Sequence, residues 1–482
     1  MNFKLNKLVI ASFTGSFLLG FGANVMADST FDLVQALVTK GVLTEEEALP
    51  LLKGRENDIQ LADKKVKKAA KLSVSDAVDN ATLYGDIRIR YEAREGSGIG
   101  ATTGVDIDEN RDRARYKVTL GVKTEAGDWY TDLALAMGAT GRSDNATFGS
   151  SAIGGDIDNK QGLFIKRAMI GWKATDWLTL EAGRMNNPLY TTPMVWDADL
   201  NFEGLAEKVN YKMNFADLFF TATQASYQGD RKNFSTITGD TATTELFAFQ
   251  GGAKYAFDDH TNAKAALTYT TYNHNTSGTK FSPQLSTTIN GTAATAAAPL
   301  GTGVSGTSAG VNDLDLIEIP AEVNYYFGAN SIGMRLFGDY AYNTSGSDRC
   351  AAAGAAICAL GNDDNAWMLG LAVGSAADFK SFEANKMVKG DWAARVWYQE
   401  VGAYSVDPNA VDSDFMDSRV NMKGAVFKAQ YNFLDNVFAN FAYGHATRKN
   451  KAIGSAGSGT TQDLALNLKD FDLLQLDLTY KF

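Results

Sequence analysis

The chain has 482 residues, 45% hydrophobic and 21% charged, with 46 Gly, only 7 Pro and a formal net charge of −11. That acidity speaks against a nucleic-acid partner, and beyond the N-terminus no run is long and apolar enough to cross a bilayer as a helix. A soluble chain of this length divides into two or more cores, whereas a barrel grows by adding strands.

Lys4 and Lys7, an apolar stretch from Leu8 to Gly22 and then Val25-Met26-Ala27 read as a secretory signal over residues 1–27, cut after Ala27. Its loss makes the chain more negative by the charges of Lys4 and Lys7. Residues 28–80 read as a periplasmic helical segment and tether. Leu33, Val34, Leu37 and Val38 stand at helical spacing, and Thr44 with Glu47 forms a capping box. This short helix pair loosely resembles half of a surface-layer-homology module, which implies a cell-wall contact. Ile59, Ala62, Val66 and Ala69 then form a weak seam in a Lys-rich tether.

From residue 81 to 482 the period is two, the period of a strand with one apolar and one polar face. The alternation predicts about sixteen strands, near 82–94, 111–123, 129–141, 162–173, 177–185, 202–213, 216–227, 245–257, 262–274, 313–327, 331–342, 366–379, 390–401, 419–433, 437–448 and 470–482. Short turns alternate with long polar connections near 95–110, 142–161, 186–201, 228–244, 275–312, 343–365, 402–418 and 449–469. Only closed barrels and helices satisfy their backbones in lipid. The fold class is therefore all-β, a transmembrane antiparallel up-and-down barrel preceded by a short helical segment. Trp129, Trp172, Trp177, Trp392, Tyr255, Tyr431 and Phe433 fall near strand ends, as an interfacial aromatic girdle requires. Pro320 falls inside a strand and needs a bulge or a missing ladder bond.

In the last strand Leu474, Leu476, Leu478, Tyr480 and Phe482 alternate with Gln475, Asp477, Thr479 and Lys481. It resembles the closing strand of bacterial outer-membrane barrels, which implies that Phe482 is part of the assembly signal read by the barrel assembly machinery. The run IKRAMIGWKATDWLTLEAGRMNNPLYTTPMVWDADLNFEG, with YGDIRIRYE and NRDRARYKVTLGV, resembles the Gram-negative "putative porin" family. The likeness is strongest from Ala81 to Gly204. By analogy with trimeric general porins it implies a homotrimer in outer-membrane lipid, with a third loop folded into the lumen.

Parity independently puts Arg88, Arg90, Arg113, Arg115, Lys117 and Arg167 on the polar face of strands one, two and four. A charge facing lipid at mid-bilayer costs about 2–4 kcal/mol, so these belong to the lumen as a basic wall. Asp197, Asp199 and Glu203 of the third loop, with Glu318 and Glu322 on a distant strand, are the candidate opposing acids. Arg184 falls on the outward parity at the rim. The acids at Val105–Glu109 and Val411–Asp417 are expected in outer loops, screened from a mid-barrel constriction over a Debye length of about 8–10 Å. That leaves weak anion preference or near-neutrality at the constriction.

Cys350 and Cys358 enclose an Ala/Gly-rich outer loop and are expected to pair in an oxidising compartment. Of the histidines, His260 falls in a periplasmic turn and neither His274 nor His445, near outer strand ends, has a partner motif for catalysis, and the carboxylates cluster nowhere with metal-ligand spacing. Neither an enzyme nor a cofactor is expected. The reading is an outer-membrane channel for passive diffusion of small hydrophilic solutes and ions. The alternatives are a substrate-selective channel, hinted at only by Trp397 on the inward parity, or an envelope-anchoring structural or adhesive barrel.

Overall fold

The structure is a computed structural model that describes residues 78–482 except 101–105, 139–142, 150–159, 229–243, 274–280, 282–287, 290–291, 294–309, 329–331, 376–387, 456, 458–462 and 465. The leader expected at 1–27 and nearly all of the segment expected at 28–80 lie outside the described residues.

Sixteen long antiparallel strands form one closed sheet. In chain order they are β1 Asn80–Gly100, β2 Asp106–Ala126, β3 Trp129–Met137, β4 Leu163–Lys173, β5 Leu178–Asn186, β6 Asn201–Lys212, β7 Asp217–Gln228 and β8 Thr244–Ala256. They continue as β9 Thr261–Tyr272, β10 Leu316–Glu318 with Ala321–Phe327, β11 Ile332–Asn343, β12 Asn365–Gly374, β13 Trp392–Val401, β14 Met422–Leu434, β15 Val437–Arg448 and β16 Leu466–Lys481. β1 pairs with both β2 and β16, which closes the ring. Beyond the ladder, Gly85 and Phe482 exchange two backbone hydrogen bonds of 2.9 and 3.0 Å. Gly85 lacks a Cβ for a reason: one there would lie 2.6 Å from the Phe482 ring.

Strand alternation produces the two faces. Leu133, Ile170, Leu205, Leu267, Leu336 and Leu369 point outward and stay more than half exposed, as a lipid-facing band requires. Trp129 and Trp172 stack at 5.5 Å near the turn end, where Trp177, Phe257, Tyr431 and Phe433 are also exposed. Pro320 interrupts β10 without shifting its register against β9 or β11. Its carbonyl still accepts from the Ala266 amide, so the cost is a missing donor and not a bulge.

One expected connection is wrong. Most of 95–110 is strand, because β1 and β2 are each 21 residues long, about twice what a tilted strand needs to cross a bilayer. The polar extension is held from the side, by Ser97 donating to Asp470, Lys469 to Asp106 and Arg111 to Asp463. A ribbon beyond the hydrocarbon needs no apolar face, so its composition reads as loop.

Inside the loop end of the barrel the connecting segments fold inward around an apolar core. Met194, Val195 and Trp196 of the third loop (187–200), Tyr404, Val406, Phe415 and Met416 of the seventh (402–421), and Leu314, Cys350, Ile453 and Leu464 of three others pack onto inward-facing Phe471, Leu473 and Trp397. The sixth loop contributes two short helices, α1 Gly346–Ala353 and α2 Ala355–Cys358.

Candidate functional site

The expected basic wall is on the inner face, and every member has a partner. Arg90 donates through Nε and Nη2 to Asp477 at 2.7 and 2.9 Å. Arg88 donates to Asn145 at 2.7 Å and lies 3.6 Å from Asp477. Arg113 donates to Glu92 at 2.7 Å and to Asp463 at 3.0 Å, and Lys117 lies 3.5 Å from Asp86. Arg167 donates to Asp132 at 2.9 Å, Tyr84 at 2.6 Å and Asn186 at 3.0 Å. Arg115 donates to Ser143 at 3.1 Å and lies 3.5 Å from Glu92. Glu92 is the hub. Fully buried, it contacts the guanidiniums of Arg90, Arg94, Arg113 and Arg115 and accepts from Gln475 at 2.9 Å.

The third loop leaves β5 and attaches to the wall of β8–β11. Tyr190 exchanges two hydrogen bonds of 2.8 Å with the Gln250 amide, and its hydroxyl donates to Glu322 at 3.2 Å. Lys264 stands 3.7 Å above its ring. Thr191 donates to Glu318, and Thr192 to Asp339 at 2.5 Å. Glu318 and Glu322 are therefore anchors for the loop, and Glu322 is further paired with Arg335 at 3.1 Å. They do not stand free as an acidic face opposite the arginines. Asp197 is buried and structural, its carboxylate accepting from the amides of Asp199 and Ser413 at 2.8 and 2.9 Å. Asp199 stays half-buried near Lys166 and Asp144.

Glu203 is a second correction. It sits in β6 directly opposite Arg184, with which it pairs, and shares the outward parity of exposed Leu205. The pair belongs to the outer surface near the loop end. The alternation already places 202–213 in a strand, so grouping Glu203 with the acids of the third loop set aside its strand parity.

The largest correction concerns Val411–Asp417, expected outside and screened. The seventh loop turns into the lumen and meets the third: the Asp197 amide donates to the Ala410 carbonyl at 2.6 Å, and the Asp412 amide to the Pro193 carbonyl at 3.0 Å. Beyond that junction Asp414 bridges Arg90 and Arg94, each at 3.2 Å. Burial would raise the Asp414 carboxyl, but Arg90 and Arg94 beside it hold it well below the usual range. Asp417 accepts from Arg94 at 2.9 Å and from the amides of Asp463 and Leu464 at 2.7 and 3.1 Å. The two loops thus make one hydrogen-bonded belt across the barrel, from Gln250, Glu318 and Glu322 to Arg90 and Arg94. Within the junction the Asp414 side chain keeps 25% of its surface and the two arginines 6% and 2%. The water-facing group there is a carboxylate.

Lys166 was missed because strict alternation puts it outside next to inward Arg167. The β3–β4 register shifts there, so Lys166 is a bulge residue and its ammonium also reaches inward, onto Asp144. Asp463, which burial would raise and which Arg94 and Arg113 hold low, comes from the eighth loop and carried no periodic signal. Cys350 and Cys358 are joined within the sixth loop, where Arg349 donates to the carbonyls of Asn312 and Gly310. His445, expected to lack a partner, lies 2.9 Å from Asp472 on the outward face beside Tyr443. Among the described residues no three His, Cys, Asp or Glu side chains gather to hold a metal.

Residues 95–300 match the family described as "Putative porin". That family and the closed barrel point to an outer-membrane channel. Among solved structures the chain is similar to Pseudomonas putida OprB in a high-pH form (12% identity, TM-score 0.46, covering 83% of this chain and 94% of that one). It is also similar to the outer-membrane channel DcaP of Acinetobacter baumannii (12%, 0.40, 85% and 99%) and a triple mutant of the Rh. blastica porin (11%, 0.37, 83% and 100%). No curated protein sequence matches.

Proposed function

We propose that the chain is a porin through which small hydrophilic solutes and ions diffuse passively across the outer membrane, with passage limited where the third and seventh loops cross the lumen. The observation that carries this reading is the belt inside a closed barrel whose inner face is charged. A sixteen-stranded barrel has room for an aqueous path beside such a belt. The inner face presents arginines already matched by Glu92, Asp414, Asp463 and Asp477, so the constriction is near neutral. Of weak anion preference and near-neutrality, the two outcomes expected from the arginines, this reading keeps near-neutrality.

The purified chain in planar bilayers should give stepwise conductance in potassium chloride, with a reversal potential close to zero in a salt gradient. Absence of conductance from folded, heat-modifiable protein would overturn the reading and favour an anchoring barrel. A homotrimer, by likeness to general porins, is part of the proposal. A native mass equal to one chain in mild detergent would remove it.

A further inference from the structure

Two carboxyl groups of the inner wall meet where the third loop attaches. Glu318 of β10 pairs across the ladder with Ala341 of β11, and Asp339 lies two residues along that strand on the same inward face. Their side chains are in hydrogen-bond contact, and the two residues are only 1% and 4% exposed. Each also accepts from the loop, Glu318 from the Thr191 hydroxyl and Asp339 from the Thr192 hydroxyl at 2.5 Å. That leaves Glu318 Oε2 and Asp339 Oδ1, which are buried and take no donor from the described protein groups. An ionised carboxylate only accepts, so a hydrogen bond between two carboxyl groups needs a proton on one of them.

No basic side chain among the described residues forms an ion pair with either carboxyl. Beside the pair, β8, β9 and β12 present Gln250, Thr268 and Met368, all uncharged. Toward the turn end Arg335 is paired with Glu322, and Lys264 stands over the ring of Tyr190, whose hydroxyl donates to Glu322. The seventh loop reaches the same segment through the Asp412 amide and the Pro193 carbonyl, and so brings a further carboxylate, one that faces Lys428. Two adjoining carboxylates repel, and burial adds the cost of desolvating both charges.

We propose that Glu318 and Asp339 share one proton and form a pH-sensitive latch that holds the third loop across the lumen. With the proton in place the pair carries a single charge and accepts from Thr191 and Thr192. Its loss leaves two charges that must reach water, and the loop segment covering them moves off the wall. The closed latch therefore binds one proton more than an open one whose carboxylates are hydrated. Raising the pH favours opening by up to about tenfold per unit, until the closed pair is itself fully ionised. The proposal rests on the channel reading only for its consequence, a wider path at alkaline pH.

Amide hydrogen exchange of the detergent-purified full chain, corrected for the chemical exchange rate, tests it beside potassium chloride conductance of the same preparation. The amides of Tyr190, Val195, Trp196 and Asp197 are hydrogen-bonded in the attached loop. The window runs from about pH 5.5 to about pH 9, where ordinary carboxyl groups are already ionised and Tyr and Lys are not yet titrating. Across it, protection of these amides should fall roughly tenfold or more and conductance should rise. Glu318→Gln keeps a donor for Asp339 at every pH and should hold both readings at their acidic level. Thr191→Val with Thr192→Val removes the loop's grip and should give weak protection throughout the window. Protection that stays constant in the unaltered chain overturns the proposal without any variant having to fold. So does a fall that persists undiminished in Glu318→Gln. A chain that loses protection at alkaline pH but never conducts loses the channel reading and keeps the latch.

Discussion

Glu92 shows at the scale of one residue what holds the basic wall. One buried carboxylate touches four guanidiniums, and breaking such a network costs more than forming it gains, because the remaining charges stay buried and unmatched. Glu92→Gln should lower barrel stability by about 3–5 kcal/mol, read as an earlier urea midpoint for protein refolded in detergent. An unchanged midpoint would mean that water solvates the arginines. Asp414 is the complementary case, at the water-facing end of the network. Its carboxyl is held low by Arg90 and Arg94 against the opposing effect of burial. A depressed carboxyl contributes its stabilisation above the ordinary range and loses it only as pH falls through the depressed value. The bridge should therefore add no transition of its own to conductance or reversal potential from about pH 7 to pH 4.5. Asp414→Asn should shift the reversal potential toward anions at every pH in that window. A transition within the window that Asp414→Asn removes would overturn the assignment.

Elements were the most legible level, because strand period is written into side-chain polarity. Leu474, Leu476 and Leu478 face outward and Gln475, Asp477 and Thr479 inward, as the alternation required. What failed was local: the bulge at Lys166, which turns two successive basic residues the same way, and the β1–β2 extension, whose polar pairs resemble a loop. The seventh loop was illegible for a different reason. Val406, Val411 and Phe415 are separated by Asp, Ser and Pro with no repeating period, and their partners lie on other loops. Its removal is structurally feasible, since Val401 and Met422 are already cross-strand partners and a short Gly-containing turn can close the same hairpin. Replacing 403–420 by such a turn should raise single-channel conductance severalfold and leave the folded band on heat-modifiability gels. Unchanged conductance would place the limiting constriction elsewhere than the belt.

The whole molecule separates into a sheet that closes on itself and a loop core packed inside one end. The ring of the sheet closes without the loops, since each of the sixteen long strands has a neighbour on both sides, and only the outer part of β2 takes its second partner from loop residues Ala146–Thr147. The loop core has the character of a small soluble interior, with Tyr404 and Phe281 meeting edge to face at 6.3 Å and Phe415 seated against Gly444. Burial pushes the Tyr404 hydroxyl up to about 12 and the Arg349 guanidinium near it down to about 10, the behaviour of groups removed from water. Two layers with separate sources of stability should respond separately. Phe415→Ala removes a fully buried ring where Gly444 leaves no side chain to fill the space, at a cost of about 3–5 kcal/mol. Because Phe415 lies one residue from Asp414, loosening it should free the belt before it affects the barrel. The expected result is noisy, stepwise-fluctuating conductance above the level of the unaltered chain, with the temperature of the heat-modifiability transition unchanged. A transition that falls by the full cavity cost, with quiet conductance, would show that loops and barrel unfold as one unit and that the belt has no independent opening.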